Sequence, residues 1–168
     1  ALSQWMPGEI LFDNALNCAK LAMRTSSIKG ILWHQGESDC SEEKRSIYAE
    51  KFAIAMTALR EALGCPDLPV IVGGLGDYLA NFEGSPEIAQ NYSKLNTVLE
   101  QLEQKLSNCA FVPATLLAAN PDNLHFSAPA LKEFCVRYYK AYETVAQNNQ
   151  GADKSLSEAV ERTALELL

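Results

Sequence analysis

The chain has 168 residues, of which 48% are hydrophobic and 21% are charged, a balance typical of a single globular domain. Its net charge of −7 comes from 14 basic and 21 acidic residues, and the basic residues form no stripe along the sequence. This balance argues against a nucleic acid or an anionic membrane surface as the partner, and no apolar run is long enough to span a membrane.

Short apolar runs alternate with longer stretches of helical periodicity along the chain. Three apolar runs predict buried strands, at 30–33, 70–73 and 110–113. Apolar residues at helical spacing predict four helices around them, at 9–25, 41–63, 87–106 and 129–145. Ser41 is a suitable N-cap for the second helix, and Gly64 is a stop signal at its end.

The C-terminal end differs in composition from the rest of the chain. Residues 146–153 are polar and predict a linker, with Asp153 as the N-cap of a last amphipathic helix over 154–168. The apolar face of that helix is predicted to consist of Leu156, Val160, Ala164 and Leu167. The sequence therefore divides into a main domain at 1–145 and a linker with a C-terminal helix at 146–168.

Alternating strands and helices, with near-continuous apolar strands, predict an α/β fold whose parallel sheet is covered on both faces. Ligand sites in such sheets lie beyond the carboxyl ends of the strands, and a polar cluster follows each predicted strand. Three strands are few for this architecture, and the chain begins with a helix. We therefore expect one or more N-terminal strands to be missing beside 31–33. The open sheet edge would favour a homo-oligomer.

The sequence Asp122-Asn123-Leu124-His125 is the sharper of two polar clusters and holds one of the two histidines. A carboxylate beside an imidazole can fix its tautomer and stabilise the imidazolium, as in the second half of a nucleophilic triad. The same spacing also occurs in ordinary surface loops, where Asp122 would cap a turn and His125 would start a helix. The spacing alone leaves both interpretations open.

The first predicted strand is followed at once by His34, Gln35, Gly36 and Glu37, the pattern of a strand that ends in a site. The side-chain amide of Gln35 can donate to a developing oxyanion, and Gly36 permits close backbone approach. The alternative is a polar strand end in which Gln35 and Glu37 satisfy loop backbone groups. A metal held by His34, Glu37 and Asp39 would need a second ligand cluster, and none has recognisable spacing, so we predict no metal site.

The glycine-rich stretch 73–76 follows the second strand but lacks the Lys and Ser/Thr of a phosphate-binding loop. We interpret its glycines as permitting a sharp turn beside the site. Neither Ser38 nor Cys40 has the surroundings of an activated nucleophile.

The cysteines are odd in number, widely spaced and without a CxxC pair, which argues against a disulfide framework and against a zinc site. We expect mostly buried, reduced thiols at Cys18, Cys40, Cys65, Cys109 and Cys135. Reduced thiols favour a cytoplasmic location, and the sequence does not otherwise constrain the compartment.

These blocks together resemble the SGNH hydrolase superfamily. The string Trp-His-Gln-Gly-Glu-Ser-Asp at 33–39 is specific to its branch of sialate O-acetylesterases and acetylxylan-esterase-related proteins, carbohydrate esterase family six. The segments 73–78 and 122–126 and the opening region 5–16 are also similar to that branch, so the resemblance covers residue 1 to about residue 143. It implies a flavodoxin-like three-layer α/β/α sandwich with a parallel sheet.

The resemblance also implies serine-esterase chemistry without a metal or an organic cofactor. In that chemistry His125 would be the general base, Asp122 its orienting acid and Gln35 an oxyanion donor, while Glu37 would brace the site. Contacts to a small-molecule or carbohydrate acyl ester are expected from His34, Gly36, Gly74 and Asp77.

The chain departs from the family in one respect. The family's nucleophile lies in an N-terminal Gly-Gln-Ser-Asn block after the first strand, and that string does not occur in this sequence. Architecture and motif therefore predict the same missing N-terminal segment. We expect an esterase that removes O-acetyl groups from carbohydrates or cleaves related small acyl esters, and we expect the 168 residues alone to be inactive. The alternative is a non-catalytic carbohydrate-binding or degenerate esterase-like module.

Overall fold

The chain folds around one parallel sheet. The computed structural model describes the backbone of residues 1–166 and the side chains of residues 1–148. The strands lie in the spatial order β1-β2-β3, with β1 at Ile31–Trp33, β2 at Val70–Gly73 and β3 at Cys109–Val112. The predicted α/β class and parallel sheet are confirmed, and each strand boundary lies within one residue of the predicted one.

Helices pack on both faces of this sheet. In chain order they are α1 (Ile10–Ala22), α2 (Glu42–Ser46), α3 (Tyr48–Leu63), α4 (Pro86–Glu100), α5 (Leu102–Lys105) and α6 (Ala128–Glu166). The helices predicted at 41–63 and 87–106 are each divided in two, with breaks at Ile47 and Gln101. The predicted end signal at Gly64 is present, because this residue follows α3 with a φ of +68°, in the left-handed region that favours glycine.

Helix α6 continues through 146–153, so the linker predicted there is wrong. The stretch is polar, but it contains no proline and only one glycine, and glutamine is a good helix former, so polarity alone does not end the helix. Asp153 consequently lies within the helix and is not an N-cap. The apolar face predicted from Leu156 to Leu167 lies outside the side chains that the structure describes, and the division into domains after residue 145 stays a prediction.

The sheet has an apolar layer on each face because successive side chains of a strand point to opposite sides. Trp33, Val70 and Val72 pack with the side of the molecule that holds α3, α4 and α5. Ile71 packs on the other face, where α6 covers β2 and β3. Leu32, the β1 residue on the α6 face, remains 66% exposed. The sheet is therefore open at β1, the edge at which further strands are expected.

Tyr138 connects α6 to the carboxyl end of the sheet through a hydrogen bond. Its hydroxyl donates to the carbonyl of Trp33 at 2.8 Å. The same hydroxyl lies over Gly73, where a Cβ atom would be only 1.9 Å away. Glycine at this position thus allows the tyrosine to reach the strand ends from which the polar clusters emerge.

The cysteines are all free, but the expectation that most are buried is wrong. Cys40 is buried, whereas Cys18 and Cys135 are exposed on α1 and α6, and the remaining two are partly buried. Both exposed residues lie on helix sides that face solvent, where a small thiol is tolerated without packing. Within residues 1–166, no helix is both long enough and apolar enough to cross a membrane.

Candidate active site

The loop between β3 and α6 brings Asp122 and His125 together. One carboxylate oxygen of Asp122 lies 2.7 Å from Nδ1 of His125. The other oxygen accepts the backbone N–H groups of Leu124 and His125, each at 3.0 Å. One side chain therefore caps the turn and holds the imidazole, which combines the two interpretations of the motif. His125 does not start a helix, because α6 begins only at Ala128.

These hydrogen bonds determine the charge state of Asp122. The bond to the His125 ring, followed by the two backbone N–H groups, lowers the pKa of Asp122 to about 2. Asp122 is therefore a carboxylate at neutral pH. Because it occupies Nδ1, the Nε2 atom of His125 is left to exchange a proton with another group. The imidazole is 69% exposed and accessible to such a group.

The lowered pKa of Asp122 is directly measurable. In a ¹³C NMR titration, we expect its carboxyl carbon to titrate near pH 2, and His125→Ala should move this pKa up towards the ordinary value of 3.8. Because the folded-state pKa is the lower one, the bonded carboxylate stabilises the folded state fully above pH 3.8, and this contribution is lost as the pH falls towards 2. Unchanged titration in His125→Ala would show that the imidazole does not hold the carboxylate.

His34 faces the loop that carries His125. Its ring lies edge-on to Phe126 and to Phe134, with centroid distances of 5.4 and 5.7 Å. Its Nε2 is 4.0 Å from a carboxylate oxygen of Glu37, beyond hydrogen-bond distance. Burial lowers the pKa of His34, while the charge of Glu37 and the backbone of Gly73 raise it to a smaller extent. His34 is therefore a neutral imidazole at neutral pH.

Gln35 has its partners on the other side of the sheet. Its Nε2 donates to the buried Asp39 at 2.7 Å, and its Oε1 accepts from the hydroxyl of Tyr48 at 3.2 Å. The same oxygen of Asp39 also accepts the backbone N–H of Leu2 at 2.9 Å. One amide hydrogen of Gln35 is left for a further acceptor. These bonds position the amide towards α3 instead of the loop of His125, and its role as an oxyanion donor stays a prediction.

Gly36 and Gly74 are both buried beneath the strand ends. A Cβ atom at Gly36 would lie 2.9 Å from the side chain of Leu95, and one at Gly74 would lie 2.8 Å from the ring of Phe111. Close packing with these side chains explains why both positions hold glycine. Substrate contact at these two glycines stays a prediction.

Glu37 and Asp77 both support neighbouring backbone. Glu37 accepts the N–H of Gly36 at 3.1 Å and so braces its own turn. Asp77 is exposed and accepts the N–H of Leu116 at 3.4 Å, which links the glycine-rich turn to the loop after β3. Bracing of the site by Glu37 and substrate binding by Asp77 both stay predictions.

Phe126 joins the two polar clusters, although the sequence analysis gave it no role. Besides His34, it contacts the rings of Tyr78 and Phe134, each at a centroid distance of 5.1 Å. Burial raises the pKa of Tyr78, and the charges of Glu37 and then Asp122 raise it further, so this phenol lies near the carboxylates of both clusters. An aromatic residue directly after the histidine of a polar loop was the available signal.

Asn96 is a second site-supporting residue that sequence reasoning missed. Its amide lies beside the glycine-rich turn and makes two hydrogen bonds with the backbone of Leu75, at 2.8 and 2.9 Å. These two bonds connect α4 to the turn that follows β2 and hold that turn in place. No sequence signal marks it, because a polar residue on an amphipathic helix is ordinarily assigned to solvent.

The thiol of Cys40, in the first polar cluster, is not activated as a nucleophile. Cys40 is buried, and burial, followed by the charges of Glu37 and Asp39, raises its pKa to about 12. Its thiol is therefore protonated at neutral pH and is a poor nucleophile. In the residues that the structure describes, no three His, Cys, Asp or Glu side chains come together as ligands for a metal ion.

An α/β sheet with a bonded Asp–His pair in a loop at its carboxyl edge is typical of hydrolytic enzymes. Residues 1–144 match the family described as "carbohydrate esterase, sialic acid-specific acetylesterase", and the chain belongs to this family. The family resemblance predicted from the motifs is therefore confirmed, and the chain is a carbohydrate acetylesterase-like protein.

A curated relative is the probable carbohydrate esterase At4g34215 of Arabidopsis thaliana. The two are 28% identical over 145 residues, which are 84% of this chain and 51% of the relative. The X-ray structure of the Arabidopsis thaliana protein AT4G34215 superposes with a TM-score of 0.70 at 27% identity, over 86% of this chain and 56% of that one. The chain thus spans about half the length of the relative that it matches.

A carbohydrate acetylesterase from Xanthomonas citri has a similar fold. Its structure gives a TM-score of 0.58 at 20% identity, over 73% of this chain and 27% of the Xanthomonas chain. At this level of identity the likeness shows the shared fold alone.

Proposed function

We propose that this chain is the base-bearing part of an SGNH-type serine esterase that removes O-acetyl groups from carbohydrates. The observation that carries the proposal is the 2.7 Å contact between Asp122 and Nδ1 of His125. It supports a base with a fixed tautomer and a free Nε2 atom. Family membership supports a carbohydrate ester as the substrate class.

In the proposed reaction a serine hydroxyl attacks the acetyl carbonyl, and Nε2 of His125 takes the hydroxyl proton. Asp122 stabilises the imidazolium that forms. His125 then gives the proton to the sugar oxygen as the ester bond breaks, which leaves an acetyl group on the serine. Water, deprotonated by the same imidazole, releases acetate and restores the serine. Backbone N–H groups would hold the oxyanion.

The nucleophile, in this proposal, belongs to a segment outside the 168 residues. The hydrogen-bond partner of the His125 ring among the described side chains is Asp122, and no serine is bonded to Nε2. The Arabidopsis relative is about twice as long as the part that this chain matches, which leaves ample chain for such a segment. The 168 residues alone would then lack the covalent step.

Active-site labelling of the full-length gene product tests this proposal. A fluorophosphonate probe should label a serine outside residues 1–168, and His125→Ala should prevent the labelling. The 168-residue chain should hydrolyse p-nitrophenyl acetate no faster than its own His125→Ala variant. Hydrolysis by this chain that His125→Ala abolishes would contradict the proposal. Sugar binding by an unlabelled, inactive full-length protein would favour the binding-module alternative.

A further inference from the structure

Tyr78 lies at the carboxyl edge of the sheet, beside the loop that carries the candidate base. It follows the glycine-rich turn after β2, and a Cβ atom at Gly76 would lie 2.6 Å from Cζ of its ring, so glycine allows the ring to fold back over this turn. The ring packs against the apolar layers on both faces of the sheet and meets Phe126 edge-on, at an interplanar angle of 86°. Packing therefore fixes the side chain next to the residue that follows His125.

The hydroxyl of Tyr78 differs from those of two other tyrosines at this edge. The hydroxyl of Tyr48 accepts the indole N–H of Trp33 at 3.2 Å. The hydroxyl of Tyr138 donates to the carbonyl of Trp33, so both groups serve the fold. Within the described part of the chain, the hydroxyl of Tyr78 has no hydrogen-bond partner, and it is not sealed from solvent. Since tyrosine hydroxyls in partly buried positions usually have a partner, this one is available to a ligand.

Two carboxylates act on the phenol of Tyr78. Burial raises its pKa, and the charges of Glu37 and then Asp122 raise it further. Glu37 belongs to the turn after β1, and Asp122 belongs to the loop of the candidate base, so the phenol lies within electrostatic range of both polar clusters. It is neutral at neutral pH, and its hydroxyl can both donate and accept a hydrogen bond.

A sugar hydroxyl matches these surroundings better than an acetyl group does. It both donates and accepts hydrogen bonds, so it can pair with the phenol of Tyr78 in either direction. The nearby carboxylates of Glu37 and Asp122 only accept, which also favours a ligand that carries donors. An acetyl ester group offers acceptors alone, and in the proposed reaction backbone N–H groups already hold its carbonyl oxygen.

We propose that Tyr78 is a substrate-binding residue whose hydroxyl forms a hydrogen bond with a hydroxyl group of the sugar. This assignment rests on the proposed function, because it takes a carbohydrate ester as the substrate. Tyr78 moves no proton in the reaction. It contributes to selectivity for a sugar ester over a simple acetyl ester, and the loss of its hydroxyl affects only the sugar ester.

Two esters that share the acetyl group test this assignment in the full-length gene product. One is p-nitrophenyl acetate, and the other is the best substrate from a panel of monoacetylated hexoses, pentoses and sialic acids. Tyr78→Phe should lower kcat/KM about tenfold for the sugar ester, as expected for one neutral hydrogen bond, and less than about twofold for p-nitrophenyl acetate. The matched control is Tyr142→Phe on α6, beside Gly30 at the amino end of β1, which should change both values less than about twofold.

Monodeoxy analogues of the same sugar ester identify the contact itself. With the parent protein, one analogue should lose about tenfold in kcat/KM, because it lacks the hydroxyl that pairs with Tyr78. With Tyr78→Phe, the same analogue should lose less than about twofold, since the hydrogen bond is already absent. If every analogue loses as much with Tyr78→Phe as with the parent, the proposal is overturned.

The other outcomes are equally decisive. Equal losses on the two esters would place the hydroxyl of Tyr78 at the shared acetyl group, and unchanged kinetics on both would show that it binds only water; either result overturns the assignment. Tyr78→Phe should leave the unfolding midpoint within about 2 °C of the parent, and a larger fall would assign the hydroxyl a structural role instead. A parent that hydrolyses no sugar of the panel would reject the proposed function and this assignment together, whereas sugar-ester hydrolysis that Tyr78→Phe leaves unchanged would reject the assignment alone.

Discussion

His125→Ala in the full-length gene product should lower kcat/KM for an acetylated sugar by about 10⁴-fold. The reason is that the imidazole moves the proton in both halves of the proposed reaction, and its Nδ1 contact with Asp122 dedicates Nε2 to that task. Asp122→Asn should lower kcat/KM by about 10²-fold to 10³-fold, a smaller loss, because the carboxylate is 48% exposed and water partly replaces it.

Two observations separate this catalytic role from a structural one. His125 is largely exposed, so His125→Ala should leave the unfolding midpoint within about 2 °C of the parent, and added imidazole should restore part of the activity by entering the vacated position. The matched control is Pro121→Ala in the same exposed loop, for which activity should stay within about twofold. Full activity in His125→Ala would remove the imidazole from the mechanism.

The sequence was most informative where the determining interactions are local or simply periodic. The three strands were predicted because each is a short apolar run between turn signals, and their parallel direction was predicted from the helices between them. The spacing of Asp122 and His125 left two interpretations open, and only the structure shows the carboxylate bonded to the imidazole. The continuation of α6 was missed because the polar composition of 146–153 predicted a linker, although the stretch holds no proline and only one glycine to stop a helix.

Side-chain direction at the strand end could not be predicted from residue type. His34 and Gln35 are adjacent, and alternation sends one to each side of the sheet, but the sequence does not say which one faces the loop of His125. Asp39 and Tyr48 determine which residue faces this loop, because they bind the amide of Gln35. His34 is then left to pack against Phe126. Residue type predicts the more chemical role for Gln35, whereas the contacts between the clusters run through His34.

The same limitation applies to the apolar groove of about 610 Å³ between Leu32 and the aromatic residues of α6. A sequence can show that a sheet is short of strands, but only the position of α6 shows that the uncovered surface is apolar and lies beside Leu32. The open edge, the groove and the candidate base therefore occur on connected parts of one surface. This arrangement requires α6 to be fastened at the carboxyl end of β1 and β2, which is the role of Tyr138.

Gly73→Ala should destabilise the 168-residue chain by about 3 kcal/mol in urea unfolding, because the new methyl group has no room. The Cβ atom would lie 1.9 Å from the hydroxyl oxygen of Tyr138 and 2.9 Å from the ring of Phe134, so α6 would have to shift away from the strands. The matched control is Gly8→Ala, where nothing lies within 4 Å and the cost, about 1 kcal/mol, comes only from a φ of +87°.

A double-mutant cycle identifies the hydroxyl as the cause. Tyr138→Phe alone should cost about 1 kcal/mol, since it removes the hydrogen bond to the carbonyl of Trp33. Combined with Gly73→Ala, it should cost less than the sum of the two single changes, because the nearest clashing atom is gone. Rescue should be incomplete, since the ring carbon that carried the hydroxyl would still be 2.6 Å from the Cβ atom. Strictly additive losses would show that Gly73 is required for some reason other than the approach of Tyr138.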